Sequence, residues 1–154
     1  MRKILLLLSI LLTLHTAIWA QAMTNWNWSQ YGLSFDAPSN LKIQTNNATD
    51  FVAKSSMLTI SINVMDYTGI TLEEMAGELG SFAEEIGMAA DSEVGPLRLT
   101  TLVGVYIDGT LGNKNALLAI LADEESNIAV AVAIEYDDEE YELPTKILNS
   151  FSIK

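Results

Sequence analysis

The sequence predicts an α+β fold in which a mostly antiparallel sheet carries helices on both faces, an α/β/α sandwich. Three observations lead there. Leu58-Thr59-Ile60-Ser61-Ile62-Asn63-Val64 alternates apolar and polar residues, the period of a strand with one buried face. Leu72, Met75, Ala76, Leu79, Phe82, Ala83 and Ile86 fall within an arc of about 120° when set at about 100° per residue, as in a helix laid on a sheet. Leu117 to Ala122 and Ile128 to Ile134 are wholly apolar, so both of their faces need cover and they belong at the sheet's centre.

The chain opens with Arg2 and Lys3, an apolar run from Ile4 to Leu14 broken by Ser9 and Thr13, and the small-x-small exit Ala20-Gln21-Ala22. These zones predict a secretory signal over 1–22, cleaved before Met23. A cut after Ala20 is the alternative, although it places Ile18 where a small residue is preferred. The apolar run falls short of the roughly 20 residues a spanning helix needs, which disfavours a retained anchor and any stable membrane insertion after cleavage. The expected destination is the periplasm or the exterior. Residues 23–30 are polar and Asn-containing around Trp26 and Trp28, a lead-in to a single domain over 31–154.

Within that domain Tyr31 to Phe35 starts strand-like and is closed by Ala37-Pro38-Ser39-Asn40. Leu41 to Gln44 and Phe51 to Lys54 are short strands about the turn at Asn46-Asn47, and the alternating strand 58–64 follows. For the long helix, Thr71 is the N-cap and Glu74 completes a capping box, with Gly87 as the stop. Gly77 and Gly80 lie off its apolar arc and cost up to about 1 kcal/mol each relative to alanine. Strands are then expected at 97–100, 102–111, 115–122 and 128–136, with a slip in the alternation at Thr100-Thr101 that marks a bulge or turn. Pro144 starts a closing helix with Ile147, Leu148 and Phe151 on one side.

Composition removes several function classes. The 154 residues carry a net charge of −12. Without Arg2 and Lys3 the eight basic residues fall to six against twenty acidic ones, so the 132 residues left after cleavage carry −14. Such a chain has no basic patch for nucleic acid and is repelled by anionic lipid surfaces. Cysteine is absent, so neither a disulfide framework nor lipid attachment at the signal's end is available. The one histidine, His15, leaves with the signal. The usual zinc sites and the histidine-based nucleophilic triads are therefore ruled out, and no cofactor is expected. Asp123-Glu124-Glu125-Ser126-Asn127-Ile128 begins like a calcium loop but puts isoleucine where glycine is needed.

The element order, with Tyr31-Gly32-Leu33-Ser34-Phe35-Asp36-Ala37-Pro38 near the start and Lys146-Ile147-Leu148-Asn149-Ser150-Phe151 at the close, resembles the PsbP-like superfamily, and its exported bacterial branch in particular. The resemblance implies a compact sandwich around an antiparallel sheet. It also implies a binding or accessory role, since that group includes a Ran-GTPase partner, an extrinsic photosystem II subunit, bacterial envelope proteins and effector chaperones. It carries no functional residue over to this chain.

The residues offer three functions. The first is a non-enzymatic domain acting through contacts with a protein partner. Its candidate contact residues are Trp26 and Trp28, which share a face if extended, and the dense acids Asp137, Asp138, Glu139 and Glu140. A lead-in strand covering the core and a solvated connection are the plainer roles for those two groups. The second function is a small-ligand carrier with an apolar pocket beneath the long helix. The third is a carboxylate-only hydrolase, which needs two acids and no histidine; Asp66 and Asp108 are its candidates, being in or beside strands.

Overall fold

A computed structural model of the chain describes residues 22–66, 69–137 and 142–154. The expected signal up to residue 21 and the acids Asp138, Glu139 and Glu140 lie outside the described residues. The strands are β1 (Met23–Trp28), β2 (Leu33–Pro38), β3 (Lys42–Asn46), β4 (Asp50–Lys54), β5 (Leu58–Asp66), β6 (Ala89–Ala90), β7 (Gly95–Arg98), β8 (Val103–Leu111), β9 (Lys114–Asp123), β10 (Ile128–Tyr136) and β11 (Ser152–Ile153). The helices are α1 (Leu72–Glu85) and α2 (Leu143–Asn149). Neither helix is long and apolar enough to cross a membrane.

The large sheet has eight strands in the order β3-β4-β5-β10-β9-β8-β6, with β7 also paired to β8, and every pairing is antiparallel. The two strands that carry the wholly apolar runs, β9 and β10, sit at its middle, as those runs require. β7 and β8 are joined through the slip near Thr100-Thr101, where Leu99 N–H donates to Leu102 O at 2.8 Å.

Helices do not cover both faces of this sheet. α1 covers part of one face, burying Met75, Leu79 and Ala83 against Val105, Ile107, Leu118 and Ile120. The other face is covered by a second sheet, β1-β2-β11, beside the short α2. The fold is mainly β rather than a helix-on-both-faces sandwich. The physical reason lies at the N-terminus. Trp26 and Trp28 on β1 and Leu33 and Phe35 on β2 turn one face of each strand into the core, so two strands supply the apolar cover expected of a helix. α2 is only seven residues long and packs Ile147 and Leu148 into the same core.

α1 has the expected start. Thr71 Oγ1 accepts from Glu74 N–H at 3.2 Å while a Glu74 carboxylate oxygen accepts from Thr71 N–H at 2.7 Å. It ends at Gly87, whose φ of 75° is a conformation glycine adopts without strain.

Candidate functional site

Cross-strand register places two rows of side chains across the helix-bearing face of the large sheet. One runs Val105, Ile120, Ala131, Asn63, Asp50; the other Ile107, Leu118, Ala133, Ser61, Val52. Both read branched apolar on β8 and β9 and alanine on β10. On β5 and β4 beyond, Ser61, Asn63 and Asp50 make the face largely polar. A helix buries its apolar arc where branched residues meet it, so α1 settles over β8 and β9. β10 and β5 are left partly open on that side.

The result is a groove of about 440 Å³ between α1 and the sheet, lined by Leu79 and Phe82 above and by Leu118, Ile120, Ala131 and Met65 below. Alanine on β10 sets the floor low. Phe82 belongs to the apolar arc by sequence, yet its side chain is 47% exposed at the groove's lip. It misses the core because the sheet beneath that flank of the helix has no branched residue to meet it. Asn63 on the far rim donates to Asp50 Oδ1 at 2.5 Å. Hydrogen bonds from Thr49, Asn47 and Asn63 hold the Asp50 carboxyl below its ordinary range. Toward the helix start the groove continues as a second hollow between Met65, Asp66, Ile70, Glu74 and Glu78.

The candidates expected from sequence lie elsewhere. Trp26 and Trp28 do share a face of β1, but that face points into the core on the side away from α1. Trp28 is 1% exposed. Its ring stands edge-on to Tyr31 at 4.9 Å and tilted to Phe51 at 6.1 Å, and Trp26 meets Phe51 edge-on at 6.5 Å. Asp137 is exposed at the end of β10, 3.8 Å from Lys114 Nζ. Asp66 ends β5 and Asp108 lies in β8, with β10 and β9 between them. Three strand spacings, with several residues of offset along the strands, put them well over roughly 14 Å apart, too far to act on one bond. Asp108 accepts from Ser92 Oγ at 2.6 Å, a loop-fixing contact. Among the described residues no group of three acids converges as a metal site.

The carrier reading asked for an apolar pocket beneath the long helix, and the groove lies there; its lining residues were not identified from the sequence. The signal for that lining was present in Ala129-x-Ala131-x-Ala133, a small-residue stripe on one face of a run whose other residues, from Ile128 to Ile134, are valine and isoleucine.

No family model and no curated protein matches the sequence. Solved structures match it in fold. The Ran-binding protein Mog1p of Saccharomyces cerevisiae superposes with a TM-score of 0.58 at 9% identity, over 87% of this chain and 96% of that one. A protein from Bacteroides thetaiotaomicron gives 0.57 at 10% identity, over 87% of this chain and 49% of that one. A point mutant of Mog1 gives 0.56 at 9%, over 86% and 96%. The likeness is one of fold, of the Mog1 type, and at such identities it assigns no residue a role.

Proposed function

We propose that this chain is an exported, non-enzymatic binding or accessory domain, PsbP-like and of the exported bacterial branch, that acts through contacts with a protein partner. Fold alone does not assign function, so the weight falls on one observation: Phe82, half exposed at the lip of an apolar groove. A large aromatic left beside unfilled apolar surface is the pattern of an anchor site rather than of a finished core. A fold neighbour named for binding a protein agrees with this reading. Export is supported by the signal-like start and by β1 opening at Met23, directly after the Ala20-Gln21-Ala22 exit.

The reading is tested by placing a photo-crosslinking amino acid at position 82 and, as control, at the exposed turn residue Asn113. A discrete adduct from position 82 alone, lost when Ala133→Phe fills the groove, is the expected result. Equal adducts from both positions count against it.

The same groove supports a second reading, a carrier of a small apolar ligand, because its volume and lining fall within the roughly 300–1,000 Å³ of such sites. Native mass spectrometry of the purified protein distinguishes the two: a bound small molecule of constant mass favours the carrier.

A further inference from the structure

From the groove's rim we infer that its occupant is a cationic segment with an apolar anchor: an aromatic or branched side chain flanked by lysine or arginine. This rests on the reading of the groove as a protein-docking site and names the chemistry of the partner. The floor and walls between Phe82 and Ile120 are apolar, but every charged side chain lining the groove or its continuation is acidic: Glu78, Glu74 and Asp66. Glu74, Glu78 and Phe82 follow one another at four-residue intervals along the same flank of α1, so the acids and the aromatic anchor face the occupant together.

Among the described residues none of these acids has an ionic partner. The ion pairs among the described residues are Lys114 with Asp137 and Lys146 with Glu142, both away from the groove. Lys54, the basic residue on this face of β4, stands opposite Thr59, outside the groove's lining. The Glu74 carboxylate is held by Thr71, whose backbone and side-chain hydrogen bonds lower its pKa, so it stays charged. An anionic or neutral segment would bring no partner to these charges, whereas a cationic one does. The excess of acid over base in the whole chain raises the approach rate of such a segment, and the apolar groove fixes where it stops.

The test uses three synthetic peptides that share one central phenylalanine, flanked by lysines, glutamines or glutamates, titrated against the protein at low and high salt. The lysine peptide is expected to bind at least about tenfold more tightly than the glutamine peptide at low salt, with the advantage collapsing at about 0.5 M salt. Glu78→Gln is expected to weaken it about two- to fivefold, the scale of one exposed charge. Ala133→Phe is expected to abolish binding by filling the floor; Ala131→Leu serves the same purpose should the larger ring disturb folding, checked by circular dichroism. Equal affinity for all three peptides overturns the cationic preference and leaves the docking groove standing. Lysine-peptide binding that survives both filling substitutions overturns the groove reading as well, since diffuse acidity then explains the attraction. No binding by any peptide overturns both and leaves the carrier.

Discussion

The rings of Phe35 and Phe151 stack 4.8 Å apart and 9° from parallel. These residues belong to the two short motifs, near the start and at the end of the domain, on which the family resemblance stands. The motifs turn out to be one structural unit. Asp36 N–H donates to Ser150 Oγ at 2.8 Å, and Ser34 and Ser152 hydroxyls meet at 3.0 Å across the β2–β11 pair. The closing strand β11 pairs with β2, and the cover of the large sheet depends on that closure.

Phe35→Ala and Phe151→Ala are each expected to destabilise the protein by about 3–5 kcal/mol, the range for deleting a buried ring. Both side chains are fully buried, so solvent does not refill the space. A double-mutant cycle by urea unfolding is expected to give a coupling of about 0.5–1.5 kcal/mol, the worth of an aromatic pair beyond its burial. Strict additivity of the two losses contradicts the stacking.

Asp123 sets a pH dependence. Its carboxylate caps the β9–β10 turn, accepting from the Ser126 hydroxyl and from the Glu125 and Ser126 N–H groups at 3.2 Å. The Ser126 hydrogen bond is the main reason its pKa lies below the ordinary 3.8. An acid whose folded pKa is depressed contributes stability that is present above the unfolded value and lost as pH falls through the folded one. Urea midpoints are therefore expected to drop as pH goes from about 5 toward 2. Asp123→Asn is expected to start lower and fall less steeply, the residual slope coming from Asp50, Glu74 and Glu142, which are shifted in the same direction. Parallel curves for the two proteins contradict the assignment.

Local periodicity made most elements legible. β5 alternates faultlessly over 58–64, α1 keeps its apolar arc and its Thr71–Glu74 box, and β9 and β10 declare themselves central by their wholly apolar runs 117–122 and 128–134. What covers the sheet was not legible in the same way. Cover is a tertiary decision: Trp26 and Trp28 give a strand a buried face only once β2 pairs with β1, and nothing local says so. The lining of the groove was hidden for a related reason. Phe82 satisfies the helical arc, and its exposure follows from Ala131 and Ala133 lying about fifty residues further along the chain. An arc shows which side of a helix is apolar, not whether the facing strand reaches it.

The capping box is expected to be worth about 1 kcal/mol. Thr71→Ala removes the acceptor for Glu74 N–H and the hydroxyl that donates to the Glu74 carboxylate, leaving only the residue-71 N–H to hold it, at the usual cost of about 0.5–2 kcal/mol. Thr71→Ser is expected to restore most of that stability in thermal unfolding. If serine recovers nothing, the threonine methyl group rather than the cap was responsible.

Two glycines with opposite surroundings provide the sharpest check on the sheet. A Cβ built on Gly104 meets the Ile120 carbonyl oxygen at 2.0 Å and Leu121 Cα at 3.1 Å. Those are backbone atoms of the neighbouring strand, so no side chain can move aside and β8 must shift against β9. Gly104→Ala is therefore expected to cost at least about 3 kcal/mol, the upper end for overpacking in a filled core. Gly77 lies on the exposed side of α1 with nothing within 4 Å of an added Cβ. There the methyl group adds no clash and reduces the backbone freedom of the unfolded chain, so Gly77→Ala is expected to gain about 0.5–1 kcal/mol. Side-by-side urea melts read both substitutions, and a Gly104→Ala protein as stable as the parent would mean that β8 and β9 are not paired in this register.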